Sequence, residues 1–275
     1  MRWYWETAVA PLLEAADART IVEVGVQEGI TTAELIAYAE RNDGIVHGID
    51  PAPLARALEL AERSDRFVLH RDQSLNALPR LAVDLDAALI DGDHNWYTVI
   101  NELRLLTAQS DSRGRDFPLT LLHDVGWPYG RRDQYFDPPA IPEEHRHPMG
   151  RGGLWPGRPG VHEDSGLNPN ASHALSEGTP RNGVLTAVED FVSEADEQFE
   201  LSTLTGLFGL AILIPRKRLA SSEPLRACLE TFRSPEWLQA EGERLERARL
   251  MSNARLDTVR HRLKELARGG HRPAP

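Results

Sequence analysis

Short apolar runs alternate with segments of helical spacing through most of the chain, from Ile21 to Ile214. The runs place β-branched residues and leucines at consecutive positions, as strands buried on both faces of a parallel sheet do. Strands that alternate with helices predict an α/β fold. The predicted strands are residues 21–26, 44–49, 66–70, 85–90, 118–122, 199–204 and 208–214.

Helical segments connect most of these strands, but one connection has a different character. Residues 126–180 are dense in proline, glycine, histidine and tryptophan and show little periodicity. A connection of that length inside a compact domain is usually functional or disordered, and its tryptophans argue against disorder. We therefore expect an ordered lid or substrate loop. The predicted helices are residues 31–39, 51–63, 75–81, 96–108, 184–195, 223–232 and 235–267.

The first strand ends in a glycine-containing turn, which is the first candidate for ligand chemistry. Gly25 and Gly29 bracket the turn, and a helix opens directly after it. A strand, a glycine turn and a helix N-terminus bring bare backbone and unpaired N–H groups to a ligand. Asp50 ends the second strand, where an acid is placed to bind both hydroxyls of a ribose.

The residues inside the turn indicate which ribose-bearing ligand it receives. A dinucleotide fingerprint needs glycine at the position of Gln27, so that the backbone can approach a diphosphate. The carboxylate of Glu28 would repel a diphosphate. Neither residue opposes a cationic nucleoside without phosphate, and Glu23 near the end of the strand is a further acid suited to a cation.

The segment VEVGVQEGITT resembles the first motif of the class I S-adenosylmethionine-dependent methyltransferases, in its E-x-G-x-x-x-G-x-T form. The resemblance extends over roughly residues 15–215 and implies a doubly wound, Rossmann-like sheet of seven strands with the last strand antiparallel. It implies S-adenosylmethionine as the cofactor and Asp50 as the acid that binds its ribose. The cofactor-binding residues that it implies are Glu23, Gly25, Gly29, Thr31, Asp50, Asp72, Ser74 and Asp91.

Asp72 and Ser74 have a second interpretation that does not involve the cofactor. In the resemblance, the loop after the third strand lines the adenine. The same residue types are also favoured at the N-terminus of a helix, which is predicted to follow here. The two roles are compatible.

Polar residues also follow the fourth and fifth strands, where ligands of open parallel sheets bind. Carboxylates from these neighbouring strand ends can hold Mg²⁺, which lowers the pKa of a bound hydroxyl. The chain is similar here to the macrocin O-methyltransferase and cephalosporin-hydroxylase-like branch, where an acid after the fourth strand and an acidic pair after the fifth hold the metal. Asp91 and Asp124 match two of these acids, whereas His123 departs from the pattern.

Two other interpretations of these residues need no metal. His94 or His123 can act as the general base, with Asp91 orienting the acceptor, because an ordinary imidazole pKa near 6.5 suits deprotonation at neutral pH. Alternatively, Asp91 and Asp93 cap the following helix. The pattern favours a structural role for Asp93 and a functional role for Asp91 and Asp124.

Aromatic residues in two places have open roles. The Trp3-Tyr4-Trp5 segment either packs on the sheet edge or forms a wall over the ligand pocket. The aromatic residues of the long connection either stack on a sugar or aromatic ring of the acceptor or form a small core of their own. These residues are Trp127, Tyr129, Tyr135 and Trp155.

Composition narrows the class of protein. The formal net charge of −11 over 275 residues argues against a nucleic-acid-binding protein. The single cysteine, Cys228, excludes a disulfide within the chain and fits a reducing cytoplasm. No apolar run reaches membrane-spanning length. We expect a cytoplasmic protein that acts on a small molecule, without a membrane or nucleic-acid partner.

The leading hypothesis is an S-adenosylmethionine-dependent O-methyltransferase that acts on a small molecule such as a glycosylated natural product, with Mg²⁺ assistance. We expect a methyltransferase domain at residues 1–215 and a C-terminal helical extension at residues 216–275. The apolar stripe of that extension packs on the domain or on a second copy of the chain. The alternatives are an NAD-dependent oxidoreductase, which Gln27 and Glu28 disfavour, and a non-catalytic partner that retains the cofactor fold.

Overall fold

The computed structural model describes residues 1–269, and the side chains of residues 1–265. Its strands are β1 (Thr20–Val24), β2 (Ile45–Ile49), β3 (Phe67–His70), β4 (Ala87–Ile90), β5 (Leu119–His123), β6 (Gln134–Tyr135), β7 (Met149–Arg151), β8 (Ser172–Ala174), β9 (Phe199–Leu204) and β10 (Leu210–Pro215).

The α-helices are α1 (Ala10–Ala15), α2 (Ile30–Arg41), α3 (Ala55–Arg63), α4 (Ser74–Ala77), α5 (Trp96–Ser112), α6 (Val184–Glu194), α7 (Arg216–Ser221), α8 (Glu223–Arg233) and α9 (Pro235–Gly269). Short 3₁₀ helices lie at Arg2–Tyr4, Leu78–Arg80, Pro138–Ala140 and Glu143–His145, and a π-helix lies at Trp5–Val9.

The central sheet has seven strands in the order β3-β2-β1-β4-β5-β10-β9. Strands β1 to β5 pair in parallel, and β10 lies antiparallel between β5 and β9. The register aligns Ile90 of β4 with Val24 of β1 and with Leu122 of β5. The carboxyl ends of these strands therefore meet at one edge, and the predicted Rossmann-like fold is confirmed.

The main core lies where the sheet packs against helices. Strands β1, β4 and β5 contribute buried apolar residues such as Ile90 and Leu122, and α5 and α6 contribute Val99, Leu103 and Val188. Consecutive buried positions along β4 and β5 explain the unbroken apolar runs in the sequence. Because both faces of β4 and β5 are buried, the positions of their carboxyl ends, where the candidate site lies, are held by the core.

The last strand begins later than the sequence pattern predicts. The apolar run starts at Phe208, but the strand starts at Leu210. Leu207, Phe208 and Gly209 all have positive φ angles, of 43°, 74° and 82°. This left-handed backbone forms a turn and does not continue a strand.

The long connection contains secondary structure of its own. Strands β6, β7 and β8 form a separate antiparallel sheet in the order β6-β8-β7. Tyr135, Ile141 and Ala174 form a small buried cluster beside it. The connection is therefore an ordered insertion, as expected, and its role as a lid stays a prediction.

The chain divides into two compact units, Met1–Cys228 and the part that follows from Leu229. In the second unit, α9 carries apolar side chains that are more than half exposed, including Leu256, Val259 and Leu263. What this stripe packs against stays a prediction. Within the described residues, no helix combines the length and the apolar character needed to cross a membrane.

Candidate functional site

The glycine turn after β1 lies against the end of β4. Gly25 has a φ angle of 90°, and a Cβ on it would lie 2.3 Å from the carbonyl oxygen of Asp91. Only glycine permits this approach. Gly29 has a φ angle of 70° and precedes α2 directly. The turn thus presents bare backbone beside the first candidate acid of the neighbouring strand.

Asp50 lies at the end of β2 and holds this turn in place. Its Oδ2 accepts a hydrogen bond from the Gln27 amide at 2.7 Å, and its Oδ1 accepts one from the Ala52 amide at 2.8 Å. A carboxylate has about four acceptor positions, so capacity for further hydrogen bonds is left. Asp50 is half-buried.

Glu23 is buried beneath the turn. The Thr32 hydroxyl donates a hydrogen bond to Glu23 Oε2 at 2.6 Å, and burial raises the pKa of Glu23 to about 8. The partner of Glu23 on α2 is Thr32, because the helix turns the buried Thr32 toward the sheet. The predicted contact of Thr31 with the cofactor stays a prediction. A cation bound nearby would favour the ionised form of Glu23.

Asp72 and Ser74 lie at the start of α4. Asp72 Oδ1 accepts hydrogen bonds from the Gln73 amide at 2.8 Å and from Asn76 Nδ2 at 3.2 Å, and its Oδ2 pairs with Arg80. Ser74 is buried. The geometry supports the helix-start interpretation of Asp72, and the adenine contacts stay a prediction.

Two carboxylates and two imidazoles converge at the ends of β4 and β5. His123 Nδ1 lies 3.2 Å from Asp91 Oδ1 and 2.8 Å from Asp124 Oδ2. His94 Nε2 lies 3.1 Å from Asp124 Oδ2 and 3.7 Å from Asp91 Oδ1. The sequence predicts that these four residues follow two neighbouring strands at the carboxyl edge of the sheet, and the structure brings their side chains into contact. We call them the rim cluster.

The rim cluster shifts the pKa of each of its members. Burial raises the pKa of both acids, but the two imidazoles and, at Asp91, the Met1 ammonium together outweigh it. The pKa of Asp91 is well below its usual range, and that of Asp124 falls to about 2. Burial lowers the pKa of both imidazoles, but Asp91 and Asp124 outweigh it. The pKa of His123 rises to about 9, and that of His94 lies well above 6.5. The carboxylates therefore attract positive charge strongly.

Each imidazole of the rim cluster has an acceptor at its far nitrogen. His123 Nε2 lies 3.1 Å from the carbonyl oxygen of Leu207, and His94 Nδ1 lies 3.2 Å from Gln134 Oε1. Metal-binding histidines commonly donate their other N–H in this way. One ligand atom each from Asp91, His123 and Asp124 lies within 4.8 Å of the others. The donor set fits a divalent cation.

Helix α5 is capped by a residue that the sequence interpretation did not name. The Asn95 side chain accepts a hydrogen bond from the Thr98 amide at 2.8 Å. Asp93 Oδ2 accepts from the Thr98 hydroxyl instead, at 3.0 Å, and Asp91 lies in the rim cluster. The alternative in which Asp91 and Asp93 cap this helix is wrong, because Asn95 is the N-cap. The structural role favoured for Asp93 agrees with its hydrogen bond to Thr98 in the first turn.

The N-terminal segment lies over the rim cluster. The Met1 ammonium donates a hydrogen bond to Asp91 Oδ2 at 2.6 Å. The Tyr4 ring meets the His123 ring edge-on at 6.2 Å between centroids, and its hydroxyl donates to the Gly206 carbonyl oxygen at 2.5 Å. Met1 and Tyr4 therefore contact the rim cluster directly, and the role of the segment as a wall over a ligand pocket stays a prediction.

The insertion contributes Gln134 and Phe136, which sequence reasoning missed, and Tyr129, which it named without a place beside His94. Tyr129 stacks on His94 with ring centroids 5.1 Å apart and planes 7° from parallel, and Phe136 lies 5.8 Å from the same ring. Phe136 is 63% exposed. No periodicity marks Gln134 or Phe136, so the sequence carries no local signal for them. Tyr129 and Tyr135 are buried, whereas Trp127 and Trp155 are partly exposed.

Comparison with solved structures finds methyltransferases at low sequence identity. The chain is similar to the SAH-bound Podospora anserina methyltransferase PaMTH1, with 15% identity, 75% of this chain and 76% of that chain covered, and a TM-score of 0.47. A proposed caffeoyl-CoA O-methyltransferase from Staphylococcus aureus has 12% identity, coverages of 75% and 80%, and a TM-score of 0.47.

A third similar structure is a Burkholderia thailandensis 1,6-didemethyltoxoflavin-N1-methyltransferase with its substrate and S-adenosylhomocysteine bound. It has 14% identity, coverages of 76% and 79%, and a TM-score of 0.40. No curated protein sequence matches this chain.

A family model described as a methyltransferase domain matches residues 22–124. The match begins in β1 and ends at Asp124, so it contains the glycine turn, Asp50 and the whole rim cluster. The strand order of the sheet is the one expected from the resemblance to class I methyltransferases. The chain therefore carries a methyltransferase domain over these residues.

Proposed function

We propose that this protein transfers the methyl group of S-adenosylmethionine to a hydroxyl of a small molecule, with a divalent cation held at the rim cluster. A glycosylated or otherwise hydroxyl-rich natural product is the acceptor class, as in the macrocin O-methyltransferase branch. The observation that carries the proposal is the convergence of two carboxylates and two imidazoles at the carboxyl ends of β4 and β5.

The cofactor would occupy the turn between β1 and α2. Gly25 and Gly29 leave room beside the backbone, and Asp50 has acceptor capacity for two ribose hydroxyls. Asp91 already binds an ammonium, that of Met1, at 2.6 Å. The methionine part of the cofactor carries an ammonium of the same kind, so Asp91 is chemically suited to receive it.

Asp91 and Asp124 would hold the cation, with His123 in place of the first acid of the family's pair. When bound, a divalent cation lowers the pKa of an acceptor hydroxyl and orients it. Imidazole ligands suit zinc, copper, iron and nickel better than Mg²⁺, which prefers oxygen ligands. His123 therefore favours a transition metal over the Mg²⁺ expected from the family.

His94 would act as the general base once a cation bound by Asp91 and Asp124 offsets the carboxylate charge that otherwise raises its pKa well above 6.5. Its Nε2 faces the two carboxylates, on the side where an acceptor hydroxyl bound to the rim would lie. His94 would take the proton of the hydroxyl at Nε2, and S-adenosylmethionine, when bound, would supply the methyl group that the hydroxyl oxygen attacks, with S-adenosylhomocysteine as the leaving group. This displacement needs alignment and removal of one proton.

Cofactor binding is tested by calorimetric titration with S-adenosylhomocysteine. The unmodified protein should bind it, and Asp50→Ala should bind it at least about tenfold more weakly, because hydrogen bonds to a charged group contribute about 1.5–3 kcal/mol. Asp43→Ala is the matched control, since Asp43 is an exposed acid ahead of the same strand. Tight binding of NAD with no binding of S-adenosylhomocysteine would reject the proposal.

Catalysis is tested by the release of S-adenosylhomocysteine in the presence of a panel of catechols, glycosides and other vicinal diols. Turnover on at least one of them should fall about a hundredfold or more in Asp124→Ala. Unchanged turnover in that variant would remove the rim cluster from the mechanism. No turnover on any member, with cofactor binding intact, would favour the non-catalytic alternative.

A further inference from the structure

Aromatic rings adjoin both imidazoles of the rim cluster. His123 has two rings edge-on, each with 6.2 Å between centroids, and His94 has one stacked ring at 5.1 Å and one tilted ring at 5.8 Å. In that order, the four residues are Tyr4, Phe208, Tyr129 and Phe136. Apolar surface therefore borders the charged atoms of the cluster, as in sites for ligands with an apolar body and a few polar groups.

Of these four rings, that of Phe136 offers the most free surface. It is 63% exposed, whereas Tyr4 and Tyr129 are buried and Phe208 is partly exposed. Among the large exposed apolar side chains of Met1–Cys228 it has the highest exposed fraction, and Leu54 follows at 49%. A single exposed apolar residue is ordinary on a protein surface. Phe136, however, lies directly against a member of the candidate site.

The backbone that carries Phe136 is held firmly. The residue follows β6, whose Gln134 amide donates a hydrogen bond to the carbonyl oxygen of His94 at 2.9 Å. Tyr135 lies in the small buried cluster of the insertion, and successive side chains of a strand point to opposite faces. Burial of Tyr135 thus directs Phe136 away from that cluster. An exposed ring on a fixed backbone loses little conformational entropy when a ligand binds.

The chemistry of Phe136 selects one kind of ligand ring. Phenylalanine has no hydrogen-bonding group, so sugar hydroxyls placed against it would lose their hydration without replacement. A flat aromatic ring loses no hydrogen bond there and gains the offset or edge-to-face contact that aromatic pairs prefer. The Asp91 carboxylate, whose side chain is 24% exposed, can accept hydrogen bonds from hydroxyls at the edge of such a ring.

We propose that Phe136 is a specificity-determining residue that contacts the ring of the acceptor, and that the acceptor carries its vicinal hydroxyls on an aromatic ring. For the reaction, the inference rests on the proposed function, and it narrows the hydroxyl-rich acceptors to this class. The binding of the ring does not require methyl transfer, so it can be measured separately.

The deciding experiment compares two diols by calorimetric titration of the protein with S-adenosylhomocysteine and MgCl₂ present. Catechol and cis-1,2-cyclohexanediol both carry vicinal hydroxyls, but only catechol is aromatic. The unmodified protein should bind catechol at least about tenfold more tightly, and Phe136→Ala should reduce this preference to less than about threefold. Phe136→Tyr, which retains the ring, should keep it.

Leu175→Ala is the matched control, because Leu175 is a 45% exposed apolar residue of the same insertion. It should leave the preference unchanged. If Phe136→Ala loses binding of S-adenosylhomocysteine, Phe136→Ser is the second variant without a ring. Three results would overturn the proposal: no binding of catechol, equal binding of the two diols, or a preference that persists without the ring and therefore comes from the acidity of the catechol hydroxyls.

Kinetics give a second readout on acceptors from the diol panel. Phe136→Ala should lower kcat/KM for a catechol at least about tenfold, mainly through KM, and change it less than about threefold for a glycoside. A lower kcat with KM unchanged would contradict a role in acceptor recognition. If the unmodified protein binds catechol with the expected preference but transfers no methyl group, the proposed function fails and the role of Phe136 in ring binding stands.

Discussion

The carboxylate of Asp133 lies 2.8 Å from the amide nitrogen of Trp96, the first residue of α5. The same oxygen accepts a hydrogen bond from the amide of Gly183, which precedes α6, at 2.6 Å. The other oxygen accepts from the Tyr135 hydroxyl at 2.9 Å. One fully buried carboxylate in the insertion therefore binds the N-termini of two helices that pack on the sheet.

Asp133→Ala should destabilise the protein markedly. The substitution leaves two buried N–H groups of helix starts without their acceptor, and we expect a loss of about 2–4 kcal/mol in the free energy of unfolding. Urea unfolding followed by circular dichroism measures it. Asp137→Ala is the control, because Asp137 is exposed four residues further on. Equal midpoints for the two variants would contradict the role of Asp133.

Glu102 should make stability fall as the pH rises. It is fully buried on α5, and burial raises its pKa from 4.5 to about 8, against the lowering effect of the Ser74 hydroxyl. Between these two values the folded chain keeps a proton that the unfolded chain has lost, so the free energy of unfolding decreases with increasing pH. Above pH 8 both states are ionised, and the loss is complete.

Glu102→Gln removes this proton linkage. The variant should be more stable than the unmodified protein at pH 8 by on the order of a few kcal/mol, and close to it at pH 4.5. Urea unfolding at both pH values measures the difference, and the exposed Glu62→Gln serves as control. The same difference at both pH values would show that Glu102 is ionised throughout.

Gly25 and Gly114 form a matched pair for testing the glycine turn. Both have positive φ angles, of 90° and 62°, but only Gly25 is crowded, by the backbone of Asp91 and Gly92. Gly114→Ala should cost about 1–2 kcal/mol through its left-handed backbone alone. Gly25→Ala should cost more than about 3 kcal/mol and abolish binding of S-adenosylhomocysteine. Similar unfolding midpoints for Gly25→Ala and Gly114→Ala would contradict this expectation, since they would mean that the turn after β1 can move away from the end of β4 at little cost.

The metal preference of the rim cluster should depend on His123. Thermal unfolding of EDTA-treated protein should show a larger rise in Tm with NiCl₂ than with MgCl₂ at equal concentration, because imidazole suits nickel better. His123→Asp should bring the two responses closer together, and Asp124→Asn should remove both. His261→Asp, on exposed α9, is the control. No response of the unmodified protein to any divalent cation would exclude the metal.

The parts of the fold that follow from local patterns could be predicted from the sequence. The apolar runs identify the strands because each is buried on both faces, and parallel topology then brings Asp50, Asp91 and Asp124 to one edge. The start of β10 was misplaced because three consecutive left-handed residues interrupt an apolar run. Apolar character does not reveal a turn of that kind.

The remaining contacts of the site depend on residues that are distant in sequence. Gln134 reaches His94 across 40 positions, and Met1 reaches Asp91 across 90. No local periodicity encodes such pairs, and the insertion that supplies Gln134 has almost none. Asn95 was missed for a different reason: it follows two aspartates, Asp91 and Asp93, which are also residue types that cap helices.

The two ends of the insertion meet, since the Asp133 amide donates to Asn182 Oδ1 at 2.7 Å and its carboxylate binds Gly183. A short linker could therefore span the distance between the residues that flank this contact and replace the insertion. The shortened protein would nevertheless lack Asp133, the carboxylate that accepts hydrogen bonds at the N-termini of both α5 and α6. Any chimera that grafts a foreign insertion onto this sheet has to bring a carboxylate of its own to that junction.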